Sequence, residues 1–404
     1  MNDVERIDPR VLGQRLAEAR KARGVTQEAA AKHLGLSRPT FIAIEKGTRR
    51  PRPEETVKLA GYYGRSLHEL VRPGAPAVEL EPHLRAVVTG SRGEREDVIQ
   101  AIRELQGFAE DYRELERLAG AKPIENYPAE VSPHGVGLAS FAEDVAVRER
   151  ARLHLGDQPI ADLRGVLENS VGVRVFCTPL PSHLAGMYAY VADLGYCILV
   201  NAKHPRERQR WTLAHEYGHF LADRHKPGID YTEPTERVPA GERFADAFAM
   251  GFLVPATGVR AAFFEVVGSH GDFQVADLCR ISSFYQVSIQ AMTLRLESLS
   301  LIRKGTWDLL REQGFKAEAA KRSLDLVRER TNDEPYPARY KYLAVLAFRE
   351  GKISEGQLAR FLRTDRVAAR EVVQRCTSRT DDIGPDGRDA MFEVPLERSL
   401  INAS

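Results

Sequence analysis

Apolar residues recur at three- and four-residue steps along most of this chain, and give way to short continuous or alternating runs only between about residues 173 and 200. Near the start, Leu12, Leu16 and Ala19 share one side of 11–23, which predicts an amphipathic helix ended by Gly24. Thr26 and Ser37 stand as caps before helices over 27–34 and 38–45, and Gly35 makes the turn between them. Pro39 falls in a first turn, where a missing N–H costs nothing. Gly47 stops the third helix, and 53–63 and 66–71 predict a fourth and a short fifth. Two short helices joined at Gly35-Leu36-Ser37 read as a helix-turn-helix. Pro73, Pro76 and Pro82 then mark 73–82 as a semi-rigid linker. Over 94–119, Val98, Ile102, Leu105, Ala109 and Tyr112 form an apolar stripe. It suits a dimerisation helix and a helix packed on the next domain equally, because it spans only about two heptads.

Helices are expected over 145–153 and 160–169, then strands over 173–177, 186–190 and 196–200, rich in β-branched and aromatic residues and bounded by Pro, Gly or Asp. These strands predict a small antiparallel sheet, either purely structural or offering an edge to an extended peptide. Residues 208–224 contain no proline and one glycine, and 241–255 repeat Phe244, Ala245, Phe248 and Phe252 at helical spacing. Two helices with Ser288 as the cap between them are expected over 275–301, and three more over 339–373. There, 353–359 is similar to the opening of a helix-turn-helix, although a regulatory or packing role is the favoured reading. The last thirty residues or so, rich in Asp, Gly and Arg, read as a partly mobile end.

Within 208–224 lies His215-Glu216-Tyr217-Gly218-His219. At about 100° per residue, His215 and His219 fall one turn apart on one helix face, where two imidazoles can bind one metal ion. Glu216 sits beside them, within reach of a water on that metal, as in the H-E-x-x-H signature of zinc peptidases. A catalytic zinc needs a third protein ligand and an open position. Glu242, at the start of the next helix, is the candidate ligand, and Asp246 one turn on can accept a hydrogen bond from the other nitrogen of a zinc histidine. A chance match on a helix surface is the bland alternative; the apolar neighbours and the following Glu-x-x-x-Asp weigh against it.

Three blocks here, 198–201, 210–219 and 242–249 ending in Leu253-Val254-Pro255, resemble the ImmA/IrrE family of metallopeptidases. The resemblance extends over about 139–302. It implies that His215, His219 and Glu242 bind the metal, zinc or alternatively manganese, and that Glu216 is the general base. The family often has Asn or Asp where this chain has Asp246, and leucine where it has Tyr217. Candidate oxyanion donors are Tyr188, Tyr190 and Tyr231. The stretch TQEAAAKHLGLSRPTFIAIEKGTRRP closely resembles the lambda-repressor/Cro (Xre) type of DNA-binding domain. That resemblance implies that Gln27 meets the DNA backbone and that Ser37, Arg38, Pro39 and Ala43, with Thr40 beside them, form the reading face. Arg38 suits guanine, and Lys46, Arg49 and Arg50 suit phosphates. Pro39 and Ala43 stand where that family often has polar residues, which narrows base readout. The resemblance also implies a homodimer on a two-fold operator.

Charge agrees with the second resemblance. Residues 9–72 hold fourteen Lys or Arg against six Asp or Glu, a net +8 in a chain whose total is +1, so the remainder carries −7. The four cysteines lie far apart with no C-x-x-C spacing, which favours buried thiols over a disulfide frame. A charged N-terminus and the absence of a long apolar run lead to the expectation of a cytoplasmic protein without membrane partners. The expected architecture is multidomain: an all-α helix-turn-helix bundle (9–72), a linker and amphipathic helix (73–138), a mainly α, α+β zincin-like peptidase domain (139–302), and a helical C-terminal region (303–404). Two functions remain open. One is a DNA-binding regulator carrying a zinc endopeptidase that cleaves a dedicated partner, a repressor or toxin-related protein. The other is an antitoxin-type or stress-response regulator whose metal is structural or sensory; the intact Glu216 favours the first.

Overall fold

The computed structural model describes residues 8–63, 67–71, 92–133, 137–191, 194–225, 228–231, 239–326 and 334–377, so the linker at 73–82 and the C-terminal end lie outside the described residues. The chain divides into two compact units, 1–78 and 79–404.

The first unit is the expected five-helix bundle: α1 (Pro9–Ala22), α2 (Gln27–Leu34), α3 (Arg38–Glu45), α4 (Pro53–Tyr63) and α5 (Leu67–Val71). The caps fall where expected. Thr26 Oγ1 accepts the Ala29 N–H at 3.1 Å, Ser37 Oγ accepts the Thr40 N–H at 3.3 Å, and Gly35 takes the left-handed φ of 70° that its turn requires. Leu12, Leu16, Phe41, Ile44 and Leu59 close the core with no exposed surface. Gly13 lets α1 lie directly on α3, since a Cβ there would sit 2.4 Å from the Ile44 carbonyl oxygen.

The second unit is built on a four-stranded sheet: β1 (Arg174–Thr178), β2 (Leu184–Val191), β3 (Gly195–Asn201) and β4 (Gly228–Tyr231), in the order β1-β3-β2-β4. The expectation of an antiparallel sheet is corrected in one pair. β2 runs antiparallel to β3 and β4, but β1 runs parallel to β3. Both β1 and β3 are buried along their whole length, as parallel strands usually are, and such continuous apolar runs carry no alternation from which the neighbour can be read. β3, which leads into the motif helix, is therefore central rather than an edge. The edges are β1, where the Cys177 N–H donates to the Pro335 carbonyl at 3.0 Å, and β4, a strand that the sequence pattern does not predict.

Alternate residues of β3 point into two cores. Tyr196, Ile198 and Val200 join α7 (Leu138–Arg152), α9 (Arg206–Asp223), α10 (Ala240–Leu253) and the helices α11 (Ala256–His270), α12 (Val275–Tyr285) and α13 (Ile289–Ser298). Before the sheet, α8 (Leu163–Val166) runs into a π-helical turn, Leu167–Val171; Asp162 caps it, so this helix begins later than residue 160. Two short helices, α14 (Thr306–Glu312) and α15 (Ala317–Ser323), follow α13. Cys197 and Leu199 face α6 (Arg92–Ala119) and the C-terminal helices α16 (Ala338–Arg349), α17 (Glu355–Phe361) and α18 (Arg366–Thr377). The stripe on α6 is used up there: Val98, Ile102, Leu105 and Ala109 have no exposed surface and Tyr112 is buried. A dimer seam along that stripe is thereby excluded. Across the expected boundaries at 138 and 302, α6 and the C-terminal helices share one core with the sheet. Glu116 of α6 ties this layer together, pairing with Arg174 of β1 at 2.9 Å and Arg339 of α16 at 2.6 Å.

Candidate metal centre and nucleic-acid interface

α9 begins after Pro205 and runs through the H-E-x-x-H motif with its whole central stretch buried. α10 crosses it closely because position 218 is glycine. A Cβ on Gly218 would lie 2.9 Å from Ala245 Cα and 3.2 Å from Phe248 Cδ1. That approach carries Glu242, in the first turn of α10, over the two histidines. His215 Nε2 and His219 Nε2 are 3.1 Å apart, His215 Nε2 lies 3.2 Å from Glu242 Oε2, and His219 Nε2 lies 3.4 Å from Glu242 Oε1. Donors at the corners of a tetrahedron with bonds of about 2.0–2.1 Å are roughly 3.3 Å apart. The three groups thus fit one metal ion, and among the described residues they are the one cluster of His, Cys, Asp and Glu with that geometry. His215 Nδ1 meets Asp246 Oδ1 at 3.0 Å, a contact that would fix the ring with Nε2 as the ligand atom once a metal occupies the cluster. Hydrogen bonds from His215 and His219 hold the Glu242 carboxyl well below the usual carboxylate range, against the opposing effect of burial. Both histidine side chains are under 10 % exposed, whereas Glu242 and Asp246 are 44 % and 54 % exposed, so the cluster opens on the α10 side.

Glu216 is buried beside the histidines. The β2 backbone passes over it at Gly186, where a Cβ would lie 3.8 Å from Glu216 Oε1 and clash with Thr212 and the Leu199 carbonyl. Gly186 follows a bulge at which β2 shifts register against β4. Sequence reasoning missed both Gly186 and Gly218; a glycine inside a strand or a motif helix was the available signal. Of the three tyrosines considered as oxyanion donors, Tyr188 stacks on His219 with ring centroids 5.3 Å apart, and burial raises its hydroxyl pKa. Tyr190 instead meets Tyr127 and His225, and Tyr231 ends β4. Tyr217, the departure from the family's leucine, is buried; its hydroxyl donates to Glu149 and accepts from Arg152 at 3.3 Å, which fastens α9 to α7.

In the first unit, Ser37, Arg38, Lys46 and Arg50 are exposed, and Thr40 and Ala43 half-buried, around the start and outer side of α3. Two expected contacts are engaged inside the unit. The Gln27 amide donates to Glu45 at 2.7 Å, and Glu45 also pairs with Arg20. Arg49 forms a two-pronged pair with Glu55, at 3.1 and 2.8 Å.

Comparison with known proteins bears on both units. A peptidase family model described as the IrrE N-terminal-like domain matches residues 168–297, and a helix-turn-helix domain model matches residues 11–72. The cryptic phage CTXphi transcriptional repressor RstR of Vibrio cholerae is 29 % identical over 90 residues, 22 % of this chain and 81 % of the relative. An uncharacterised HTH-type transcriptional regulator of Methanocaldococcus jannaschii is 41 % identical over 51 residues, 13 % of this chain and 77 % of the relative. The crystal structure of ComR from Streptococcus suis aligns with 91 % of this chain and 87 % of its own, at 11 % identity and a TM-score of 0.15, a likeness too slight to carry an argument. No single helix among the described residues is long and apolar enough to cross a membrane. The chain thus belongs with the HTH-type transcriptional regulators of the Xre kind and joins that DNA-binding domain to an ImmA/IrrE-family, IrrE N-terminal-like peptidase domain.

Proposed function

We propose that this protein is a DNA-bound regulator whose peptidase domain uses a zinc ion to cleave one dedicated partner protein, a repressor or toxin-related factor. The observation that carries the reading is the three-cornered set of donors 3.1–3.4 Å apart, with the Glu216 carboxylate buried beside it. His215, His219 and Glu242 would hold the ion, with Asp246 orienting His215. When bound, zinc supplies Lewis acidity toward water and the scissile carbonyl. Glu216 takes the proton from the attacking water and delivers it to the departing amine. Its burial shields that proton from bulk water, and a structural metal would not require a carboxylate there. Arg38, Ser37 and Thr40 would face base edges while Lys46 and Arg50 neutralise phosphates, holding the peptidase near other proteins on the same DNA.

Glu216→Gln tests the reading. The variant should keep one zinc per chain by elemental analysis and keep its DNA affinity, yet lose cleavage of the products of neighbouring genes. Wild-type cleavage by this variant would remove Glu216 from the mechanism. Efficient digestion of casein by the intact protein would replace a dedicated partner with general proteolysis.

A further inference from the structure

We infer that the C-terminal helices α16–α18 form a second helix-turn-helix that takes duplex DNA. Four cap and turn bonds of the α2–α3 pair recur in α17–α18 at a constant shift of 328 positions. Thr26 Oγ1 accepts the Ala29 N–H at 3.1 Å, and Ser354 Oγ accepts the Gln357 N–H at 3.2 Å. The turn bonds Gly35 N to Lys32 O and Leu36 N to Ala31 O, at 3.1 and 2.9 Å, recur as Arg363 N to Arg360 O and Thr364 N to Ala359 O, both at 3.0 Å. Gly35 has φ 70° and Arg363 φ 45°. The second cap, Ser37 accepting from Thr40, recurs as Asp365 accepting from Ala368 at 2.9 Å. Buried Ala30, Ala31 and Phe41 correspond to buried Leu358, Ala359 and Ala369. A non-glycine residue in the left-handed region is strained and persists only where its surroundings hold it. Here Arg363 is held by its guanidinium 3.5 Å over the Phe108 ring and by Glu104 at 3.3 Å.

A shared frame alone would suit packing, and α17 does pack on α6. The outward side of α18 adds a second observation. Arg366 occupies the position that Arg38 holds in α3, and Arg366, Val367, Arg370 and Arg375 are exposed. Arg370 is paired with Glu355, and Glu371 is exposed on the same helix. α18 itself carries Arg366, Arg370 and Arg375 against Glu371, a net +2 in a chain that beyond residue 72 is acidic as a whole, whereas Arg339, Arg360 and Arg363 are turned to acids of α6. Charge of that sign on an exposed helix after such a turn complements the phosphates flanking a groove.

The test uses the full-length chain and a random-sequence duplex, with affinity measured across a salt series. Arg366→Ala with Arg375→Ala should lower the slope of log affinity against log salt by about 1.8, at roughly 0.9 for each phosphate that is no longer neutralised. Both side chains are exposed, so the thermal unfolding midpoint should stay that of the wild type, and Arg366→Lys with Arg375→Lys should restore the slope. A Lys46→Glu, Arg50→Glu protein should keep residual duplex binding that the two alanines then remove. An unchanged slope in the alanine variant, or no residual binding in the Lys46→Glu, Arg50→Glu protein, would overturn the proposal and leave α16–α18 as packing alone.

Discussion

Gly218 is where the packing of the peptidase unit and its candidate chemistry are most tightly coupled. In Gly218→Ala the new methyl carbon would start 2.9 Å from Ala245 Cα and 3.2 Å from both Ala245 Cβ and Phe248 Cδ1. Ordinary carbon contacts lie at about 3.5–4.0 Å, so α10 must retreat by roughly 0.6–1 Å. Glu242 is one turn from Ala245 on that helix and moves with it. Metal sites tolerate ligand displacements of only about 0.2 Å. Two opposing terms set the stability of the metal-free protein. Alanine in a helix interior gains about 1 kcal/mol over glycine, and overpacking costs about 1–3 kcal/mol. The metal-free unfolding midpoint should therefore fall only slightly. With Glu242 as the third ligand, as proposed, zinc affinity should fall by about 10–100-fold, the range seen when groups that orient metal ligands are removed. Chelator competition gives the affinity, and thermal scans with and without zinc give the stability. Wild-type zinc affinity in Gly218→Ala, or a loss of metal-free stability large enough to unfold the domain, would refute the view that this glycine sets the reach of Glu242.

Three further outcomes follow from other interactions. Tyr217→Phe leaves the buried Glu149 without its hydroxyl donor and should cost about 1–3 kcal/mol in denaturant unfolding, while Tyr217→Leu, although closer to the family, should cost at least as much. Arg49→Ala should lower the stability of the helix-turn-helix unit by about 0.5–1 kcal/mol, because the Arg49–Glu55 pair joins the loop to α4; a loss of DNA affinity at unchanged stability would mean that Arg49 acts only on phosphates. The Glu207–Lys321 pair, 2.7 Å apart, links α9 to α15. Burial raises the Glu207 carboxyl, but Lys321 more than offsets this and leaves it below its usual 4.5; burial lowers Lys321, but Glu207 leaves it above its usual 10.5. A depressed carboxyl stabilises above its unfolded value and loses that contribution as pH falls, and a raised ammonium stabilises below its unfolded value and loses it as pH rises. Lys321→Met should therefore cost about 1 kcal/mol near neutrality and converge on the wild type in acid; a gap that persists at about pH 2 would point to poorer packing instead.

The helix-turn-helix unit was legible almost residue for residue because its signals are local. Thr26, Gly35, Ser37 and Gly47 each fix a boundary through their own side chain or φ, and short-range turns need no distant partner. Part of the candidate metal site was legible because His215 and His219 share one helix, with Glu216 beside them. Glu242 followed from the resemblance and from its place at the start of the next helix, not from any signal for how close the two helices come; that distance depends on Gly218 meeting Ala245. Sheet order was hidden for a related reason. Val175, Phe176 and Cys177 are apolar on both sides, so nothing in β1 distinguishes β3 from β2 as its partner. The stripe on α6 could not announce its partner either, since Tyr336, Tyr340 and Phe361, which cover it, lie more than 200 residues away.

The same dependence on neighbours holds for polar residues. Gln27 and Arg49 are residue types that bind phosphate when free, and sequence gives their type but not their neighbours. Glu45, eighteen positions from Gln27, already receives Arg20 and takes the Gln27 amide as well; Glu55, six positions from Arg49, takes the guanidinium at two points. A carboxylate that is half-buried gains more from such donors than a solvated phosphate contact offers, because removing it from water leaves its lone pairs to be satisfied from within the protein. Arg38 differs: its nearest acidic partner, Glu28, stands 3.9 Å away with both side chains more than half exposed, a pair that water and salt screen. The residue at the head of α3 is accordingly held more loosely than Gln27 or Arg49, which is what a side chain needs if it is to exchange an internal partner for the edge of a base.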